Sequence, residues 1–153
     1  MLDASVHESI ERSVLCWLAT VSAEGQPSVS PKEVFAAFGS DSIVIANIAS
    51  PNSARNIRAN PRACVSFVDV FVQKGWQVRG TASVLRAGDD AYDAIERILL
   101  EITGGAFPFK SVFRVLAEDV REIIAPRYRL YPKTTEADQI ASAMTRYGVR
   151  PKA

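Results

Sequence analysis

The chain's apolar positions fall into short runs separated by turn-forming residues. Val14–Val21 is almost continuously apolar, of strand length and rich in β-formers, and Ala23-Glu24-Gly25-Gln26-Pro27 supplies the turn that ends it. A second strand is predicted from about Ser28 to Phe38, stopped by Gly39-Ser40-Asp41-Ser42, and a third over 43–47 follows at once. Three strands so briefly connected predict an antiparallel meander. Strands resume at Ala63–Val70 and again over 73–85. In the latter, Trp76, Val78, Gly80, Ala82 and Val84 alternate with Gln77, Arg79, Thr81 and Ser83, the period of a strand buried on one face. A long strand over about 111–125 completes the set.

Helical signals punctuate this rhythm. Residues 5–12 predict an exposed helical turn. Ser50-Pro51 is a cap residue followed by proline at the first helical position, and the helix can run to Ala59, because Pro61 disfavours helix at Asn60. So short a helix needs packing through Ala54 and Ile57. Asp89 or Asp90 is predicted to cap a helix with an apolar stripe of Tyr92, Ile95, Leu99 and Ile102, stopped by Gly104-Gly105. Thr134 or Thr135 caps a last helix with Ile140, Met144 and Tyr147 on one face, ended by Gly148. Six strands, a few short helices and no βαβ alternation predict a mainly β fold, a small antiparallel barrel. Residues 1–153 read as one domain with a helical extension over about 134–148.

Composition narrows the chemistry. With 153 residues, 48% hydrophobic, the chain is too apolar for disorder, and 18 basic against 17 acidic residues give no electrostatic case for nucleic acid or an anionic membrane. No apolar run approaches the roughly 18 residues of a membrane span, and no signal peptide is predicted at Met1-Leu2-Asp3-Ala4-Ser5, so a cytoplasmic location is expected. Cys16 and Cys64 lie in apolar runs and read as small buried hydrophobes. The single histidine, His7, reads as a surface residue; with two separated cysteines it makes no zinc site and no nucleophilic triad. The chain therefore borrows its chemistry from a cofactor or performs none.

The segment from Ile45 to Arg62 is the candidate site. A helix N-terminus presents unpaired N–H groups and partial positive charge, which favour phosphate. Ser50, Ser53, Arg55, Asn56 and Arg58 surround it, and nothing acidic lies between Asp41 and Asp69. Residue types alone nevertheless favour a capped helix with solvated arginines. Lys32 shares a polar strand face with Ser28 and Ser30, and by residue type it too reads as a solvated edge lysine.

Three segments change that balance: Ser28-Val29-Ser30-Pro31-Lys32, the stretch from Ile45 to Phe67 with its Asn60-Pro61-Arg62 stop, and Val78-Arg79-Gly80-Thr81-Ala82. In order and spacing they resemble the flavin-binding split-barrel proteins related to pyridoxamine 5′-phosphate oxidase, and above all their short flavin-nucleotide-binding members, to which Tyr128–Pro132 is also similar. The resemblance implies a six-stranded split barrel, a homodimer, and FMN in a groove between subunits. It implies that Lys32 and the turn Ser53-Ala54-Arg55-Asn56, with the cap Ser50, hold the ribityl phosphate. Val29 and Ser30 would lie along the flavin edge, flanked by Ala46 and Asn47, and the partner subunit would add Lys74 and Gln77, or Phe107 and Phe109.

Where the oxidase opens its strand motif with arginine this chain has Pro27, and its C-terminal segment from Tyr147 carries no histidine. Neither pyridoxamine phosphate oxidation nor haem binding is therefore expected. The implied function is an FMN-dependent oxidoreductase on a small organic substrate. The alternatives are a non-catalytic flavin or electron-transfer module, and a reductase using the deazaflavin F420 on the same fold.

Overall fold

The computed structural model describes residues 1–152. In chain order the elements are α1 (Ala4–Arg12), β1 (Cys16–Val21), β2 (Pro27–Lys32), β3 (Phe35–Phe38), β4 (Ser42–Ala46), α2 (Pro51–Ala59), β5 (Arg62–Asp69), β6 (Lys74–Leu85), α3 (Tyr92–Thr103), β7 (Val112–Ile124), α4 (Pro126–Leu130) and α5 (Glu136–Tyr147). All strand pairs are antiparallel, in one sheet of order β2-β1-β5-β6-β7-β4-β3.

The strand expected over Ser28–Phe38 is two strands, so the sheet has seven strands rather than six and no three-strand meander. The β1–β2 ladder ends where Cys16 faces Lys32, and beyond it the chain has no β1 partner. It crosses instead to β4, where the Val34 carbonyl accepts from Ala46 N at 3.0 Å and Phe35 faces Ile45. β2 and β3 are thus the two outer strands of the sheet, yet only Glu33 and Val34 separate them. A sheet whose two edges are joined by two residues must curl on itself, and the result is a split barrel. At the β6–β7 ladder the register shifts between Arg79 and Gly80, leaving Glu118 without an opposite number. A Cβ on Gly80 would meet the Leu116 carbonyl oxygen at 1.8 Å, so only glycine allows the strands this close there.

Two apolar clusters hold the layers. Inside the barrel, Leu18, Val65, Phe67, Val78, Ile43, Ile45, Phe113 and Val115 pack with Val6 and Ile10 of α1 and with Ala54 and Ile57 of α2. Outside it, Val44, Ala46 and Val112 pack against Tyr92, Ile95 and Leu99 of α3. Every residue of β4 is buried, Ser42 included, which fits the apolar run over 43–46.

Several expectations need correction. α1 is anchored in the core rather than an exposed turn, and His7 is half-buried on it. Cys16 is buried but Cys64 is only half-buried; both are free thiols. The N-cap of α3 is Ala91, in the left-handed region at φ 63°, because the Asp89 carboxylate is spent on the Arg86 N–H at 2.7 Å. Ile102 is half exposed. On α5 the buried positions are Gln139 and Ala143, one residue off the expected stripe, and the cap is Thr135 in a reciprocal box with Asp138. No helix among the described residues is long and apolar enough to cross a membrane.

Candidate functional site

Lys32 is the last residue of β2 and, contrary to a solvated edge lysine, is buried to 9% exposure. Because it faces Cys16 across the ladder, its stem enters the barrel end rather than solvent. Its ammonium donates to Ser50 Oγ, a neutral hydroxyl that itself donates to the Ile48 carbonyl at 3.1 Å. That diverts Ser50 from its expected role, and α2 has no side-chain cap. Among the described residues no carboxylate forms an ion pair with Lys32. Burial pushes its pKa down.

This ammonium lines a hollow of about 380 Å³ with Ser30, Pro31, Glu33, Val34, Ala46, Ile48, Ala49, Ser50 and Phe107. Ala49 is held at φ 50°, a conformation that costs an L-residue about 1–2 kcal/mol and is found where a loop is fixed by its surroundings. The Ser30 hydroxyl oxygen is fully buried with no hydrogen-bond partner. A buried cation held in no ion pair, beside an unsatisfied hydroxyl, is chemistry suited to an anionic, hydrogen-bonding ligand.

A second, more open hollow lies across the first turn of α2. Asn47, Pro51, Ala54, Arg55, Arg58, Ala59, Arg86 and Ser111 line about 640 Å³, and no residue lines both hollows. Asn47 Nδ2 donates to Ser111 Oγ at 2.9 Å, while its Oδ1 is buried and unpartnered.

The predicted residues are therefore divided. Ser30, Lys32, Ala46 and Ser50 share the first hollow, and Asn47, Ala54 and Arg55 the second. Val29 faces outward, 60% exposed. Ser53 and Asn56 lie on the buried face of α2, where Asn56 Nδ2 donates to Thr20 Oγ1 at 3.0 Å and ties the helix to β1. Lys74 is far along β6, paired with Glu136 at 2.8 Å and set 4.8 Å over the Tyr128 ring, and Gln77 accepts from Arg79. Phe107 reaches the first hollow, and Phe109 packs on the α3 cluster. Arg58, named with the helix terminus, lines the second hollow, whereas Glu33, Ala49, Arg86 and Ser111 were not singled out as site residues. Ser111 and Arg86 arrive through the β4–β7 and β6–β7 ladders, for which local sequence carries no signal.

Residues 2–124 match the sequence profile described as pyridoxamine 5′-phosphate oxidase. The chain belongs to this family. No curated protein matches it. Among solved structures, the family fold recurs in an FMN-binding protein from Syntrophomonas wolfei (17% identity, TM-score 0.66, covering 80% of this chain and 89% of that one). It recurs in an F420 reductase (22%, TM-score 0.60, 78% and 98%) and in HutZ, described as a heme storage protein, from Vibrio cholerae (20%, TM-score 0.61, 80% and 94%). These likenesses establish the split-barrel fold shared with the family. The family match stops at residue 124, so α4 and α5 lie outside it.

Proposed function

We propose that this chain binds FMN and serves as an oxidoreductase on a small organic substrate, with the first hollow as the flavin phosphate seat. The observation that carries this reading is Lys32: a buried ammonium whose one side-chain partner is a neutral hydroxyl. Lys32 and the Ser30 and Ser50 hydroxyls would hold the phosphate, and Ala46 and Ala49 would wall the ribityl chain. Bound FMN supplies the hydride or electron transfer. The chain's own residues bind it, orient it and exclude water. An FMN-binding protein of the same fold supports the reading.

Val29 and Trp17, 60% and 46% exposed on the outer sheet face, suit a second copy of the chain. In that homodimer the partner would bring Lys74 and Gln77 toward the flavin. Pro27 in place of an arginine argues against pyridoxamine phosphate as substrate.

The test is the visible spectrum after FMN loading and desalting. Wild type is expected to retain both flavin bands, and Lys32→Met to lose them with its circular dichroism unchanged. Undiminished flavin in Lys32→Met overturns the seat. A chain that rejects FMN but retains F420 moves the reading to a deazaflavin reductase. Flavin that is retained but not reduced by NADH or NADPH moves it to a carrier.

A further inference from the structure

We infer that the C-terminal extension, α4 and α5, docks on a second copy of the chain, in a hollow between α1 and β3, each copy giving its extension to the other. The proposed function shares with this only the second copy; neither flavin nor Lys32 enters it. The sequence predicts Ile140, Met144 and Tyr147 as the buried stripe of α5, yet the barrel takes up Gln139 and Ala143 instead. Gln139 Oε1 is left buried with no hydrogen-bond partner, and Tyr147 stays 55% exposed. The side-chain bonds that tie the extension to the barrel go to Val72 and Lys74, at the β5–β6 turn. Leu130, Tyr131 and Val149 are exposed as well. An amphipathic helix whose apolar stripe is not the side its own barrel covers has a face left for another surface.

Charge says which surface. Residues 126–153 carry six basic side chains against two acidic ones. Glu136 pairs with Lys74 and Asp138 closes the cap at Thr135, while among the described residues none of the six bases forms an ion pair. The opposite charge surrounds a hollow of about 460 Å³ between α1, β3 and the end of α3. Its walls include Ile10, Val14, Phe35 and Ile102, with Val14 79% and Ile102 50% exposed. Its charged lining is Glu11 and Glu33, with His7 beside them and no lysine or arginine. Glu101 adjoins Ile102 on α3, and none of these three carboxylates is in an ion pair among the described residues. No residue of 126–152 lines the hollow, and among the described residues no hydrogen bond or ion pair joins α4 or α5 to α1 or α3. Unpaired bases beside one uncovered apolar surface, and unpaired acids beside another, are kept apart within one chain and meet when two chains exchange them. Under two-fold symmetry the contact forms twice, once in each direction.

The test is light scattering on the full chain across a concentration series, with two charge-reversed variants, Arg146→Glu/Arg150→Glu and Glu11→Lys/Glu101→Lys. All four positions are exposed, so both variants are expected to fold, and circular dichroism checks it. Each variant alone sets like charges against each other in both contacts, and its dimer should dissociate about tenfold or more readily than wild type. Mixed in equal amounts, the two variants restore opposite charges in both contacts, and the dimer should return. A variant that dimerises as wild type does overturns the inference, as does a mixture of folded variants that stays monomeric, or a wild-type monomer. If Trp17→Asp alone dissociates the dimer and both charge variants leave it intact, this inference fails while the proposed homodimer stands. If the chain takes no flavin, the proposed function fails alone, and dissociation and rescue are still read on the colourless protein.

Discussion

Lys32 has spent its hydration on a position that returns one neutral hydrogen bond. Burial lowers its pKa in the folded state below the ordinary 10.5. Between that lowered value and the unfolded one, the native chain binds fewer protons than the unfolded chain, so stability rises with pH there. At lower pH the amine is charged in both states and contributes no slope. The urea midpoint of wild type, measured against Lys32→Met, is therefore expected to climb as the pH approaches 10.5 from below; a flat difference counts against a buried amine. Cys16, opposite Lys32, has its pKa pushed up to about 12 by burial. In native protein Cys64 should react with a thiol reagent well before Cys16, which is expected to stay silent until the chain unfolds. None of this was visible in residue types, because a lysine at a strand end looks the same whether its stem enters the core or the solvent. The polar face shared with Ser30 was legible; its direction was not.

Among the elements, α2 and the β6–β7 ladder show how local sequence and long-range packing divide the work. The start and stop of α2 were readable from Ser50-Pro51 and Asn60-Pro61. The use of Asn56 was not, since its partner Thr20 lies 36 residues away. Thr20 is 1% exposed, so Asn56→Ala strands its hydroxyl and should cost about 1–3 kcal/mol in chemical denaturation. The alternation of β6 was equally plain, but the unpaired Glu118 that offsets the ladder has no local signature. Gly80→Ala would place its Cβ against the Leu116 carbonyl and force β6 from β7. A loss of about 2–4 kcal/mol is expected, and a variant as stable as wild type would show that the strands are not so close. The caps of α3 and α5 mark the same boundary. The sequence narrows the cap of α5 to Thr134 or Thr135, and it is Thr135, whose box with Asp138 is local, whereas neither Asp89 nor Asp90 caps α3, Asp89 being diverted by the tight turn at Arg86.

For the whole molecule, the mainly β barrel was legible from strand periodicity and the absence of βαβ units, but closure was not. Glu33 and Val34 contain no glycine or other turn residue to mark a break, and only the pairing of Phe35 with Ile45 shows that the chain has changed edges. A homodimer through the outer face of β1 and β2 predicts twice the monomer mass in light scattering, and Trp17→Asp should reduce it to one. A wild-type monomer would remove the partner's Lys74 and Gln77 from the flavin reading.

The two-residue link between β2 and β3, the outer strands of the sheet, has a mechanical consequence. A closed hoop is only as stiff as its clasp, and here Pro31, Lys32, Glu33 and Val34 form both the clasp and one wall of the first hollow, with Ala46 of β4 on the other side. Any molecule seated there bridges both rims of the curled sheet and resists their parting. Amide exchange in β2 and β3 should therefore slow on ligand addition more than exchange in β5 or β6, turning the seam into a reporter of occupancy that requires no colour and no turnover.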